Sequence, residues 1–205
     1  SPKWRRGRLD VRIAAKVVSW CLHPAVITAL LFLVIGFSNN DPLADVIVPI
    51  VTYSVIPIAA LLIARGLEVV RSADQPSIRE RAPLLLTAEL SYVAGLLLTL
   101  ALGLPMLIAF IEAAYLANSL IIILITLLLR FKISLHVSTA SAIATALTYL
   151  YGARLAAFFL IPLTLSWARL ELKAHTTAQV LAAWAFAPIT LAQLLLYHAT
   201  LGLRP

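Results

Sequence analysis

The sequence predicts an all-α fold, a polytopic membrane helix bundle of six or seven transmembrane helices. Of its 205 residues, 62% are hydrophobic and only 12% are charged, and the mean hydropathy is +0.98. A soluble domain of this size leaves roughly 30% of the chain's area exposed, so it cannot hide that much apolar surface. Apolar runs of about 20 residues, the length that a helical span needs, recur along the whole chain.

Seven apolar runs are separated by turn signals such as "SNNDPL", "GLP" and "YGAR". The sixth run is short and contains Pro162, which leaves the number of spans at six or seven. A basic arm, residues 1–16, precedes a single integral-membrane domain, residues 17–205. The predicted spans are 17–37, 44–64, 84–102, 105–129, 134–151, 154–168 and 177–200.

The charge distribution predicts the orientation. When the seven spans alternate, fourteen of the sixteen lysines and arginines fall on the side of the N-terminus. The positive-inside rule then predicts a multi-pass protein of the cell membrane with a cytoplasmic N-terminus, although a basic ligand site would also gather arginines. Because the charges of this +7 chain lie in loops between apolar runs, anionic lipid headgroups are a simpler partner than nucleic acid.

Cysteine usage excludes two kinds of site. Cys21 is the only cysteine, so neither an intramolecular disulfide nor a cysteine-based metal cluster can form. We expect no metal and no cofactor.

Ionisable residues gather at the predicted cytoplasmic ends of the last three runs. Two helix N-termini would point to the same place, and such termini attract anions through unpaired amide groups and the helix dipole. Arginine and lysine beside them indicate a phosphate ligand. The residues are Lys132, His136, Arg169 and His175.

These residues also carry a family resemblance. "ARLELKAHTTAQ" resembles the third motif, S-R-x5-H-x3-D, of the type 2 phosphatidic acid phosphatase superfamily, with Arg169 and His175 at the matching spacing. "ISLH" resembles that family's P-S-G-H motif through Ser134 and His136. The resemblance covers roughly residues 105–200, which would be the active-site half of the chain.

The family's first motif, K-x6-R-P, is absent as written. Lys132, together with Arg130, could replace its phosphate-binding charge. The alternative source is the loop "SADQPSIRERAP", where Arg79 and Arg81 would face the same side. Those two arginines also suit a role as topology determinants.

The resemblance implies metal-independent hydrolysis of a lipid phosphate or diphosphate at the cytoplasmic face. His175 would attack phosphorus and form a phosphohistidine, and His136 would protonate the leaving oxygen. Arg169, Lys132 and backbone amides would stabilise the phosphoryl oxygens. Gln179 replaces the family's aspartate; its carbonyl oxygen can accept the Nδ1–H of His175 but supplies no negative charge.

Two alternatives remain open. The neutral Gln179 fits slower chemistry or a lapsed enzyme that binds lipid phosphates without turnover. A membrane transporter would instead use Glu89 and Glu112, which lie within predicted spans, where an ionised carboxylate is costly. His23 and His198 are interpreted as interfacial or packing histidines. The identity of the lipid and the oligomeric state stay undetermined.

Overall fold

The protein is described by a computed structural model over residues 2–70 and 77–201, with side chains from residue 9 to residue 200 of these ranges. All secondary structure in these ranges is helical, as predicted. The elements are α1 (Pro2–Cys21), α2 (Pro24–Asn39), α3 (Leu43–Ile50), a π-helical segment (Val51–Val55), α4 (Ile56–Gly66), α5 (Ile78–Ala101), α6 (Met106–Leu128), α7 (Leu135–Tyr151), a 3-10 helix (Ala153–Phe159), α8 (Leu160–Glu171), α9 (Thr177–Trp184) and α10 (Phe186–Leu201).

Several helical stretches have the length and composition of membrane spans. The described residues contain five, and a sixth if Leu9–Cys21 and Pro24–Asn39 cross as one. The prediction of six or seven stays a prediction: α7 has 17 residues, fewer than the roughly 20 that a span needs. The five are Leu43–Gly66, Ile78–Ala101, Met106–Leu128, Ala153–Glu171 and Thr177–Thr200.

The distribution of exposed side chains is that of a protein surrounded by lipid. Large aliphatic side chains are exposed on most of these helices, among them Leu90, Leu97, Leu128, Leu181 and Leu196. Polar side chains are buried instead, including Ser138, Ser141, Glu112 and Arg169. In a bilayer such a pattern is favourable, because apolar side chains meet lipid and polar groups meet one another inside the bundle.

The first predicted span, 17–37, is divided between two helices. α1 ends at Cys21 and α2 begins at Pro24. Proline has no N–H to continue α1 and restricts the residue before it, but it suits the first position of a new helix. Most of the predicted basic arm, 1–16, has a helical backbone and belongs to α1.

The chain divides into two compact units, and the prediction of a single integral-membrane domain stays a prediction. The terminal unit consists of Ser1–Pro24 and Lys132–Pro205, and the central unit is Ala25–Phe131. α6, which the resemblance placed in the active-site half, belongs to the central unit.

In the terminal unit, α7 is the central helix. It packs against α8, α9, α10 and the 3-10 helix, while α1 packs against α8. Alanine, serine and threonine make up much of α7, and such small side chains allow neighbouring helices to approach closely. α7 therefore brings its N-terminal end next to the ends of several helices.

The central unit contains the hairpin of α5 and α6. The hydroxyl of Tyr53, in the π-helical segment, donates to the backbone carbonyls of Tyr92 and Glu112 at 2.8 and 3.2 Å. Gly95 allows this approach, since a Cβ there would collide with Thr52 and Tyr53.

Candidate functional site

The turn between α8 and α9 combines two capping motifs. At its start, the N–H groups of Lys173 and Ala174 donate to the carbonyls of Leu170 and Arg169, the pattern of a Schellman motif. Lys173 occupies the left-handed position, with φ 54°. Arg169 thus closes one helix, and the chain reverses within the five residues that separate it from His175.

At its end, the turn starts α9 with a capping box. The Thr176 hydroxyl accepts from the Gln179 N–H at 3.3 Å, and Gln179 Oε1 accepts from the Thr176 N–H at 3.2 Å. The sequence "TTAQ" has the spacing of this motif, a signal that the sequence analysis did not use. Gln179 therefore has a structural role as well as its predicted one.

The surroundings of His175 determine its tautomer. Nδ1 lies 3.1 Å from Gln179 Oε1 and 3.1 Å from the backbone oxygen of Lys132. Because both oxygens can only accept, Nδ1 must carry a proton, and in the neutral ring Nε2 then carries the lone pair. The predicted hydrogen bond to Gln179 is present, and the Lys132 carbonyl adds a second one from a segment 43 residues away.

An open pocket of about 660 Å³ lies at His175. Two lysines and two threonine hydroxyls give it a polar, cationic wall. It is lined by Lys132, Leu170, Lys173, Ala174, His175, Thr176, Thr177 and Gln179. Lys173 and the threonines were not among the predicted site residues.

His136 and Arg169 form the inner part of the site. Arg169 is only 2% exposed, and both it and His175 act electrostatically on His136. Ser134 is the N-cap of α7 but makes no capping bond, and its 0% exposed hydroxyl has no hydrogen-bond partner among the described residues. The terminal unit therefore brings together six of the predicted residues: Lys132, Ser134, His136, Arg169, His175 and Gln179.

The end of α1 also contacts this site, which the sequence analysis missed. The ring of His23 stacks on Trp20, with centroids 5.8 Å apart, and meets the edge of His136 at 5.3 Å. His136 has a hydrogen bond with the backbone of Ser19. His23 was interpreted as an interfacial or packing residue, and its ring packs against a predicted catalytic residue, His136.

The remaining predicted phosphate ligands belong to the central unit. Arg130 follows α6 and is exposed, and Arg79 is exposed near the start of α5. Arg81, on the same helix, is 3% exposed. Their predicted role as phosphate ligands stays a prediction.

The two carboxylates of the transporter hypothesis also lie in the central unit. Glu112 is 0% exposed, and its side-chain neighbour is Thr99. Glu89 is half-buried beside Ser119. Among the residues described, no group of three or more histidine, cysteine, aspartate or glutamate side chains could hold a metal ion.

No protein-family model matches the chain, and no curated protein or solved structure shows significant similarity to it.

Proposed function

We propose that the protein hydrolyses a membrane lipid phosphate or diphosphate at the cytoplasmic face of the membrane, without a metal and through a phosphohistidine at His175. The observation that carries this proposal is the pair of acceptors at Nδ1 of His175. They hold the proton on Nδ1, so that Nε2 has the lone pair that a nucleophile needs.

In the proposed reaction, Nε2 of His175 attacks phosphorus. The N–P bond forms while the P–O bond to the lipid breaks, and His136, protonated on both ring nitrogens, gives one proton to the departing oxygen. Water then attacks phosphorus, the N–P bond breaks, and His136 takes a proton from the water. Arg169, Lys132 and the Ser134 hydroxyl would hold the phosphoryl oxygens, whose charge must be stabilised throughout.

Two features of the chain support a lipid substrate. The turn that carries His175 adjoins the two helical stretches of membrane length in the terminal unit, Ala153–Glu171 and Thr177–Thr200. The pocket at His175 is open. A lipid could therefore keep its tails in the bilayer and present its phosphate to the pocket.

The first test measures phosphate release from a panel of lipid phosphates in detergent with a chelator present. The native protein should release phosphate, and His175→Ala should lower the rate on the order of 10³-fold or more. His198→Ala is the matched control, because His198 pairs with Tyr149 and has no role in the proposed reaction. The proposal would be overturned if the chelator abolished the activity of the native protein, or if His175→Ala remained active.

A second test separates the two histidines. His136→Ala lacks the general acid, so its rate of phosphate release from an alkyl phosphate should fall about 10²–10⁴-fold. The first step with p-nitrophenyl phosphate, measured as the initial burst of p-nitrophenol, should slow much less, because this leaving group needs no proton. His175→Ala should be inactive with both substrates. A burst with p-nitrophenyl phosphate that slows as much as the reaction of the alkyl phosphate in His136→Ala would contradict the role of His136 as the general acid.

A lipid-phosphate-binding protein without turnover is the second candidate. The neutral Gln179 favours it, because an amide stabilises the positive charge that develops on His175 less than a carboxylate would. Native protein that binds the lipids but releases no phosphate in the first test would establish this candidate.

A further inference from the structure

One hydroxyl next to the site remains unexplained by the proposed reaction. Ser19, near the end of α1, is 1% exposed, and its hydroxyl has no hydrogen-bond partner among the described residues. Burying a hydroxyl without a partner is costly. A buried hydroxyl without a partner therefore indicates a role that the fold alone does not explain.

The helix itself could have satisfied this hydroxyl. Serine and threonine in helices commonly donate to the carbonyl four residues earlier. Several residues of the terminal unit do so: Thr145, Thr164, Ser166 and Thr200. Ser19 does not, although it lies on an α-helix with Ala15 one turn before it.

The position of Ser19 relates its hydroxyl to the catalytic residues. A ring N–H of His136 donates to the Ser19 backbone carbonyl. That carbonyl is available because the next candidate donor, the His23 N–H, bonds to Trp20 instead at 3.2 Å. The Ser19 hydroxyl therefore lies within a side chain's length of His136.

Ser134, two residues before His136, resembles Ser19. The hydroxyl of Ser134 is likewise buried without a partner among the described residues. The segments that carry these two buried hydroxyls both adjoin His136, which in turn is close enough to the buried cation of Arg169 to interact with it electrostatically. Hydroxyl donors around an arginine match the oxygens of a phosphate group.

We propose that the Ser19 hydroxyl is a further phosphate-binding group of this site, supplied by α1. It donates a hydrogen bond to a phosphoryl oxygen of a phosphate monoester whose other oxygens meet Arg169 and Ser134. The proposal rests on the proposed phosphate site, but it concerns binding and does not require turnover.

The test compares affinity and stability in Ser19→Ala. Binding of inorganic phosphate and of a short-chain phosphatidic acid is measured by calorimetry in detergent. Loss of a hydrogen bond to a charged group should weaken binding about tenfold or more. Without ligand, the variant should melt about 2–4 °C higher, because an unsatisfied buried hydroxyl has been removed.

Ser141→Ala is the matched control. Its hydroxyl is equally buried, but it donates to Ser138 and Ala183 at 3.0 and 3.3 Å. This variant should melt lower than the native protein and bind phosphate equally well. Ser19→Cys has a side chain of similar shape but a weaker donor, so it should also weaken phosphate binding. It replaces Ser19→Ala in the test if that variant does not fold.

The outcomes separate this proposal from the proposed function. Phosphate binding that weakens in Ser19→Ala, without turnover in the native protein, would sustain the inference and overturn the phosphatase alone. Turnover by the native protein, together with unchanged phosphate affinity in Ser19→Ala, would support the phosphatase and overturn the inference about Ser19. A native protein that binds neither probe would overturn the inference. The two probes distinguish a lipid headgroup from free phosphate. Ser19→Ala must lower the affinity for the probe that the native protein binds more tightly.

Discussion

Gln179 illustrates how one side chain can serve both the fold and the chemistry. Its Oε1 accepts from the backbone of Thr176 and from the ring of His175. The first bond starts α9, and the second orients the proposed nucleophile. Since an amide is neutral, it fixes the tautomer of His175 but contributes little to the basicity of Nε2.

The isosteric change Gln179→Glu tests this division of roles. Glutamate keeps the capping box and adds a negative acceptor, so we expect kcat to rise by about tenfold. Gln179→Leu loses both bonds, and we expect kcat to fall by about tenfold and stability by about 1 kcal/mol. Phosphate release at saturating substrate and thermal unfolding are the measurements.

Ser77→Ala is the control for the capping effect. It removes the equivalent capping box of α5, formed by Ser77 and Glu80, so it should lower stability by a similar amount and leave kcat unchanged. A Gln179→Glu variant that is no faster than the native protein would contradict the electrostatic part of the argument.

At the scale of elements, the turn after α8 places a lysine in a backbone conformation that is unfavourable for residues with a side chain. Lys173 adopts φ 54° at a position where glycine is usual. The left-handed conformation costs a lysine about 1 kcal/mol. The same residue lines the pocket at His175, which gives a reason for a cation at this position despite the cost.

Lys173→Gly should therefore raise stability and weaken substrate binding. We expect about 1 kcal/mol of added stability and a KM about threefold to fivefold higher, since an exposed lysine contributes modestly to binding an anion. Glu68→Gly is the matched control: Glu68 has φ 59° after α4, so its replacement should stabilise the protein without changing KM. An unchanged KM in Lys173→Gly would show that Lys173 does not contribute to substrate binding.

For the whole molecule, the central question is which segments cross the membrane. The span Ala153–Glu171 consists of a 3-10 helix followed by α8. Because a 3-10 helix rises about 2.0 Å per residue and an α-helix about 1.5 Å, the 19 residues reach roughly 30 Å. That is the thickness of the hydrocarbon core.

The two ends of this segment should lie on opposite sides of the membrane. In a Cys21→Ser background, Lys173→Cys should react with an impermeant maleimide only from the cytoplasmic side, and Arg154→Cys only from the other side. Labelling of sealed right-side-out and inside-out vesicles measures this. If both positions react from the same side, the segment does not cross and the predicted orientation is wrong.

The sequence by itself determined the helical class and the pairing of His175 with Gln179. Both follow from local physics: long apolar runs must satisfy their backbone groups internally, and residues four apart at a helix start lie close together. It also placed Arg169 and His136 near His175, through motif resemblance.

Only the tertiary structure decided which distant segments complete the site. The Lys132 carbonyl at His175, and Ser19 and His23 at His136, join positions far apart in the chain. Hydropathy indicates that a segment is buried but not against what, because many helix packings bury the same apolar surface. The 3-10 start of the sixth span escaped the sequence analysis for a similar reason, since packing against α7 accompanies it and no local signal marks it.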